Sequence, residues 1–221
     1  QGVIEGNSSD DPDNWWHDPK VMRTAFRPRM IFLERCENVV IQGITVQNSP
    51  SWNIHPYFSD HLRFLDLRVL NPKDSPNTDG LDPESCRDVE IAGVYFSLGD
   101  DCIAVKSGKI YMGSTYRRPS EDVTIRQCCM RDGHGSITIG SEMSGGVDDV
   151  RIWDCDMSHS MCGIEIKGTK KRGGYVRNVH VEDCAAARIL FHSVGYNDDG
   201  IGHPVPPVFE NCSFERLRIL G

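Results

Sequence analysis

The sequence lacks a basic run that would suggest nucleic acid or an anionic membrane as a partner, and it lacks any apolar run long enough to cross a membrane. Its 221 residues carry a formal net charge of −8, so we expect neither nucleic acid nor a membrane as a partner. Hydrophobic residues are scarce at 38%, whereas Gly numbers 21 and Pro 12. This composition is typical of a turn-rich β protein and argues against a helical one.

The sequence opens with Gln1-Gly2-Val3-Ile4-Glu5-Gly6 and not with a signal peptide, so we expect either that a leader was processed away or that this is an excised piece. Such a start is typical of the interior of a domain. We therefore expect one domain over 1–221 that is truncated at both ends, irregular over 1–34 and repetitive over 36–220.

The nine cysteines show no spacing that resembles a zinc site, and their odd number does not indicate a disulfide framework. Unpaired cysteines are more common in reducing compartments. Their usage here therefore predicts an intracellular or periplasmic location.

An apolar pattern returns six times from Val39 onward, with a weaker seventh copy near Phe209–Phe214. The six clear copies begin at residues 39, 62, 89, 123, 150 and 179, so they are 23 to 34 residues apart. Within each copy apolar residues alternate, break at Gly, Gln or Asp, and resume. This pattern indicates two short strands joined by a bend and has no helical period.

A second strand follows each copy by about a dozen residues, as in Ile103-Ala104-Val105, Ile137-Thr138-Ile139 and Ile164-Glu165-Ile166. The units are too short for the four-stranded blade of a propeller. Coils of short strands stacked on one another predict an all-β fold, a right-handed parallel β-helix of about seven coils. Exposed strand edges at its two ends would favour self-association.

Six cysteines fit this repeat as stacking residues. Cys36 and Cys86 precede their copies where other coils place Ser59 and Ser120. The remaining four are expected to form one buried column after the bend, where small apolar side chains fit: Cys128, Cys155, Cys184 and Cys212.

Four polar clusters lie at or beside the second strands of successive coils. They are Asn77-Thr78-Asp79-Gly80, Asp100-Asp101, Gly133-His134-Gly135-Ser136 and Glu165-Ile166-Lys167. Stacked about 4.8 Å apart, these clusters form one polar strip. Adjacent carboxylates repel each other, which favours a proton on one of them near neutral pH and makes it a candidate general acid.

Three carboxylates, a His and a Lys on one face suit glycoside hydrolysis. One carboxylic acid protonates the leaving oxygen while a carboxylate activates water on the other face of the sugar. In inverting enzymes these groups are about 6.5–9.5 Å apart, a spacing that residues one or two coils apart can reach.

Together, Asn77-Thr78-Asp79, Gly99-Asp100-Asp101, Gly133-His134-Gly135 and Ile166-Lys167 resemble the four signatures of glycoside hydrolase family 28, the polygalacturonases. The resemblance implies a β-helical, inverting enzyme without metal or cofactor that cleaves α-linked galacturonan or a related pectic polysaccharide or oligogalacturonide. It implies Asp100 as general acid, Asp79 and Asp101 as the residues that activate water, and His134 as the group that keeps the acid in its proper state. Members are commonly secreted, unlike the location that the cysteines predict.

The same resemblance gives Lys167 the role of binding a substrate carboxylate and places Asn77 at the cleft. Glu165 departs from the family, which usually has Arg there to grip a galacturonate carboxylate. Glu165 can pair with Lys167, bind hydroxyls of a neutral sugar, or face the run Lys170-Lys171-Arg172, from which Arg172 would take over the carboxylate. Tyr196 is the candidate for a late tyrosine near the reacting sugar, and His55 and Trp52 are candidates for the cleft wall.

Three other functions remain open at the level of sequence. A pectate-lyase-like enzyme would bind calcium through Asp79, Asp100 and Asp101. A non-catalytic β-helix would only bind polysaccharide. A rhamnogalacturonan or substituted-galacturonan hydrolase of the same family is a third alternative, favoured by Glu165.

Overall fold

The structure, a computed structural model, describes residues 2–6, 27–195, 199–202 and 205–221. No helix in these ranges is long and apolar enough to cross a membrane. The described elements, in chain order, are β1 (Val3–Glu5), β2 (Ile31–Glu34), β3 (Glu37–Gln42), β4 (Thr45–Gln47), β5 (Ile54–Tyr57), β6 (Asp60–Leu65), β7 (Arg68–Leu70), β8 (Arg87–Ala92), β9 (Tyr95–Ser97), β10 (Ile103–Val105), α1 (Ile110–Tyr116), β11 (Ser120–Arg126), β12 (Cys129–Asp132), β13 (Gly135–Gly140), β14 (Val147–Trp153), β15 (Asp156–Met157), β16 (Cys162–Gly168), β17 (Tyr175–Glu182), β18 (Ala185–Ala186), β19 (Ile189–Ser193), β20 (Val208–Glu215) and β21 (Arg218–Ile219).

Three parallel sheets run along a right-handed β-helix, which confirms the predicted fold. One sheet has the order β3-β6-β8-β11-β14-β17-β20, and a second has the order β1-β4-β7-β9-β12-β15-β18-β21. The third contains β10-β13-β16-β19 and is preceded by the pair β2-β5. Leu81 connects these two parts by isolated bridges to Ile54 and Ile103. Seven strands in the first sheet agree with the predicted number of coils.

The six repeat copies pair in the predicted register. Val39 lies opposite Leu62, Leu62 opposite Val89, and Val89 opposite Val123. Apolar residues of neighbouring coils therefore stack in continuous interior rows. From Leu62 onward these side chains are almost wholly buried, and each contributes about 1.5–3 kcal/mol relative to exposure.

The bend between the first two sheets is made by residues with positive φ, one in each coil. Gly43 and Gly93 meet this requirement without a side chain, and polar or long side chains fill the other places: Asp66, Gln127, Asp154, Asp183 and Arg216. Asp is tolerated in this conformation because its short polar side chain bonds locally. This column fixes where each coil turns.

The cysteine column is confirmed for three of its four members. Cys128, Cys155 and Cys184 are buried directly after the bend. The prediction for Cys212 is wrong, because Cys212 pairs with Val179 inside β20 and occupies a different column. In the last coil the place after the bend belongs to Leu217, which follows Arg216. All nine cysteines are free thiols.

The short helix α1 accounts for the longest repeat interval. It lies between β10 and β11, where the copies at 89 and 123 are 34 residues apart. Lys109 is its N-cap residue and Arg117 ends it in a left-handed conformation. This helix was not predicted from the sequence, and it places Lys109 at the edge of the polar strip.

Candidate active site

Asp79, Asp100 and Asp101 come together at the start of the third sheet. Leu81 pairs with Ile103 in the neighbouring coil. Asp79 and Asp101 lie two residues before Leu81 and Ile103 respectively, so these two aspartates also face each other. The backbone N–H of Gly80 donates to the carbonyl of Asp101 at 2.9 Å and fixes this register. The three side chains each have a carboxylate oxygen within 4.8 Å of the others, so the predicted cluster of carboxylates is present.

The carboxylates differ in exposure and in proton affinity. Asp79 and Asp101 are buried, whereas the Asp100 side chain is 22% exposed to the cleft. Burial, only partly opposed by Lys106 and reinforced by Asp100 and Asp101, raises the pKa of Asp79 to about 7. Burial and the charge of Asp101 raise the pKa of Asp100, and His134 opposes this shift. Asp100 is therefore an accessible carboxyl that keeps its proton to higher pH than an ordinary Asp.

His134 lies beside Asp100, as the sequence predicted. Its Nδ1 is 3.3 Å from Asp100 Oδ1, and its ring is 59% exposed. The neighbouring Gly135 donates its N–H to Asp101 Oδ1 at 2.9 Å. A Cβ at Gly135 would lie 2.8 Å from Asp101 Oδ1 and would overlap Thr138 Oγ1. Glycine is thus required for β13 to approach the carboxylates this closely.

Lys167 bridges Asp101 and Glu165. Its Nζ is 3.2 Å from Asp101 Oδ2 and 3.5 Å from Glu165 Oε2. The other oxygen of Glu165, Oε1, is 2.7 Å from Nε2 of His192. Of the three arrangements open for Glu165, the structure therefore has the pairing with Lys167. His192 was not predicted because it belongs to the next strand, β19, where no polar cluster had been identified.

Lys106 is a second lysine that the sequence analysis missed. Its Nζ donates to Asp79 Oδ2 at 3.3 Å and lies 3.1 Å from Asp82 Oδ2 and 3.3 Å from Glu142 Oε2. The alternation Ile103-Ala104-Val105-Lys106 contained the signal, because Ile103 and Val105 point inward and Lys106 must point to the cleft. The role of this lysine is taken up below.

The other predicted residues are placed as follows. Asn77 lies in the cleft wall, and its Oδ1 accepts from Arg27 Nη2 at 2.8 Å. His55 is buried behind the wall with its ring edge on Trp52 (centroids 4.9 Å apart), so His55 supports the wall while Trp52 forms part of it. Arg172 lines the cleft and donates to Asp199 Oδ2 at 2.7 Å and Ser141 Oγ at 2.6 Å. Tyr196 lies outside the described residues.

These side chains enclose a cleft of about 310 Å³ that has both signs of charge. Asp79, Asp100, Asp101 and Glu142 contribute carboxylates, and the cations of its wall are Lys106, Lys109, Lys167 and Arg172. The three aspartates are close enough to hold a metal ion. Two of them, however, already face an ammonium group, Asp79 that of Lys106 and Asp101 that of Lys167. A cation would have to compete with these lysines.

The chain resembles known proteins over most of its length. The family model described as glycosyl hydrolases family 28 matches residues 1–194. A probable polygalacturonase of Vitis vinifera is 42% identical over 184 residues, which are 81% of this chain and 36% of that protein. An endo-polygalacturonase of Pectobacterium carotovorum subsp. carotovorum is 32% identical over 85% of this chain and 47% of that protein. The crystal structure of an exopolygalacturonase from Thermotoga maritima superposes with a TM-score of 0.75, at 32% identity over 82% of this chain and 41% of that one. The chain thus spans less than half the length of these relatives.

Proposed function

Because the chain belongs to glycosyl hydrolases family 28, we propose that it hydrolyses α-linked galacturonic-acid-containing pectin with inversion of configuration. The observation that supports this most is the cluster of Asp79, Asp100 and Asp101, whose carboxylate oxygens approach within 4.8 Å. Only Asp100 of the three is partly exposed and has a histidine beside it. Exposure thus divides the cluster into one carboxyl that is open to a substrate oxygen and two that are enclosed behind it.

In the proposed reaction Asp100 donates its proton to the leaving glycosidic oxygen. Asp79 and Asp101 orient a water molecule and take up its proton as it attacks the anomeric carbon. The pKa of Asp100 is raised by burial and by Asp101, which preserves the acid form before each turnover. His134, 3.3 Å from Asp100, limits this rise and orients the carboxyl.

The carboxylate spacing differs from the expectation for inversion. Inverting glycosidases usually hold their carboxyl groups about 6.5–9.5 Å apart, and retaining ones about 5–5.5 Å apart. Here oxygens of all three groups lie within 4.8 Å. The proposal of inversion therefore rests on family membership and not on spacing, which makes the stereochemistry of the product an informative measurement.

The substrate class follows from the charges of the cleft wall. Lys109 and Arg172 line the cleft, and a cation suits a galacturonate carboxylate. Arg172 pairs with Asp199 at 2.7 Å, and Lys109 lies 3.8 Å from Glu142. Lys167 bridges Asp101 and Glu165, so the charge of Lys167 is shared between two carboxylates. This arrangement favours a second candidate within the family, a rhamnogalacturonan or substituted-galacturonan hydrolase, in which a neutral or modified sugar lies beside Glu165.

A panel of pectic backbones tests the proposal. We expect new reducing ends from polygalacturonate, rhamnogalacturonan or methyl-esterified galacturonan, without loss of activity in EDTA and without unsaturated products. Unsaturated ends or loss of activity in EDTA would favour a calcium-dependent lyase. Binding without new reducing ends on every backbone would favour a non-catalytic β-helix.

A further inference from the structure

Among the cations described in the cleft wall, only Arg172 is more deeply buried than Lys106. Lys106 contacts more carboxylates than Arg172 does. Its side chain is 7% exposed and lies between three carboxylates, Asp79, Asp82 and Glu142, at 3.1–3.3 Å. The Trp52 ring covers it, with its centroid 3.6 Å from Nζ. These contacts leave the Lys106 side chain no room to move with a bound substrate, so Lys106 is a fixed part of the site.

The surroundings keep Lys106 charged. Burial by itself would lower the pKa of the Lys106 ammonium, but Asp82, Glu142 and Asp79 raise that pKa well above its usual value. Asp101 contributes in the same direction from the neighbouring coil. The positive charge of Lys106 therefore lies beside Asp79.

The same charge opposes the protonation of Asp79. Burial raises the pKa of Asp79, as do Asp100 and Asp101, while Lys106 lowers it through charge and a hydrogen bond. Asp82 is also fully buried, and neither of its carboxylate oxygens has a hydrogen-bond partner of good geometry. Burial, and to a smaller extent the charge of Asp79, raises the pKa of Asp82 well above the usual value. Both aspartates at Lys106 thus have a raised pKa, and that of Asp79 would be higher still without the lysine.

We propose that Lys106 is a positioning residue that holds a positive charge against Asp79 and fixes the orientation of its carboxylate toward the attacking water. The geometry supports this, because Lys106 Nζ donates to one oxygen of Asp79, Oδ2. Glu142 Oε2 lies 3.3 Å from the same Nζ, and Lys109 lies 3.8 Å from the other oxygen of Glu142. The inference rests on the function proposed above, in which Asp79 accepts a proton from water.

The decisive variant is Lys106→Met, with Lys73→Met as a control in an exposed turn. We expect kcat on the preferred pectic backbone to fall by at least about tenfold while KM changes by less than about threefold, because Lys106 acts through Asp79. The acidic limb of the pH profile should move up by at least about one unit, since loss of a neighbouring cation raises a carboxyl pKa. Lys73→Met should behave like the wild type.

Removal of Lys106 leaves three carboxylates together, so Lys106→Met is compared with the double variant Asp82→Asn/Lys106→Met, which removes one carboxylate with the cation. If only the double variant folds, the test uses the kcat of that variant and the acidic limb of its pH profile. A higher KM at unchanged kcat would overturn the proposal, because it would make Lys106 a substrate ligand. An unmoved acidic limb in a folded variant would also overturn it.

A titration separates this inference from the proposed hydrolysis. Carboxyl ¹³C NMR follows Asp79 directly in the wild type and in the folded Lys106 variant. We expect the pKa of Asp79 to be higher in the variant, whether or not the wild type hydrolyses any backbone. An unchanged pKa of Asp79 would overturn the role of Lys106, whereas a wild type without hydrolase activity would overturn only the proposed function.

Discussion

Lys167 and Asp101 are 66 residues apart in the sequence, yet Lys167 Nζ lies 3.2 Å from Asp101 Oδ2. Lys106 has the corresponding contact with Asp79 at 3.3 Å. Each of the two carboxylates assigned to water activation is therefore held by its own lysine. The family resemblance implied that Lys167 binds a substrate carboxylate, but its charge is already engaged by Asp101 and by Glu165. A substrate carboxylate must then compete with Asp101 and Glu165 for Lys167.

Asp100→Asn should lower kcat at least about 100-fold while leaving the fold intact, because an amide has no labile proton for the leaving oxygen. Reducing-end assays on a substrate with a poor leaving group measure the loss, and circular dichroism checks the fold. Asp149→Asn, on the outer face where Asp149 pairs with Arg151, is the matched control and should keep wild-type turnover. A variant at Asp100 with more than about a tenth of wild-type turnover would remove Asp100 from the role of general acid.

His134→Gln should move the basic limb of the kcat/KM profile to higher pH and lower kcat. Charged His134 lowers the pKa of Asp100, so without it the acid form of Asp100 persists to higher pH. His61→Gln is the control, because His61 is similarly exposed and also pairs with an aspartate, Asp88, but lies far from the cleft on β6. A basic limb that stays in place or moves to lower pH contradicts the electrostatic role of His134.

Glu165→Arg should raise the affinity for polygalacturonate by up to about tenfold, equivalent to about 1.5 kcal/mol for one charge-assisted contact. The substitution removes a carboxylate that shares Lys167 with Asp101 and adds a cation to the cleft. Glu165→Gln separates the two effects and should give a smaller gain. Binding to polygalacturonate and to a neutral backbone is measured by calorimetry. Unchanged or weaker binding of polygalacturonate by Glu165→Arg would mean that Glu165 contributes to binding in another way.

Asp82→Asn should raise the melting temperature relative to the wild type, and by more at about pH 8 than at about pH 5. The raised pKa of Asp82 means that the folded protein retains a proton that the unfolded chain releases above about pH 3.9. Asp82 therefore destabilises the folded protein increasingly as the pH rises from about 3.9 toward the pKa of Asp82 in the folded state. Differential scanning calorimetry across this range measures the difference, and a difference independent of pH would contradict the assignment of a proton to Asp82.

The fold followed from the sequence where the repeat was clear. Interior alternation and a polar or glycine residue at the bend fixed six copies in register, down to pairs such as Val89 and Val123. The predicted register of the seventh copy was wrong, because Asn211-Cys212 resembles the pair Asp183-Cys184 that follows the bend in the preceding coil. In the structure Asn211 instead aligns with Asn178, another residue with positive φ, and the bend lies later at Arg216. A local pattern cannot distinguish two kinds of left-handed position in one coil.

The carboxylates and His134 were predicted because they occur in short clusters at matching places in consecutive coils. Lys106 and His192 were not, since each stands alone in its strand and contacts charges from other coils, Asp79 and Glu165 respectively. Such contacts depend on the length and direction of side chains across the sheet, which spacing along the chain does not reveal.

The anomeric configuration of the first product distinguishes direct attack by water from a covalent mechanism. When ¹H NMR follows an α-linked galacturonan during the first turnovers, inversion predicts that the β-anomer of the new reducing end appears before mutarotation. This result would mean that water attacks directly, with Asp79 and Asp101 as its partners and Asp100 as the acid. An α-anomer as the first product would contradict the account, because it would require a covalent glycosyl–enzyme intermediate on one of the three carboxylates that lie within 4.8 Å of each other.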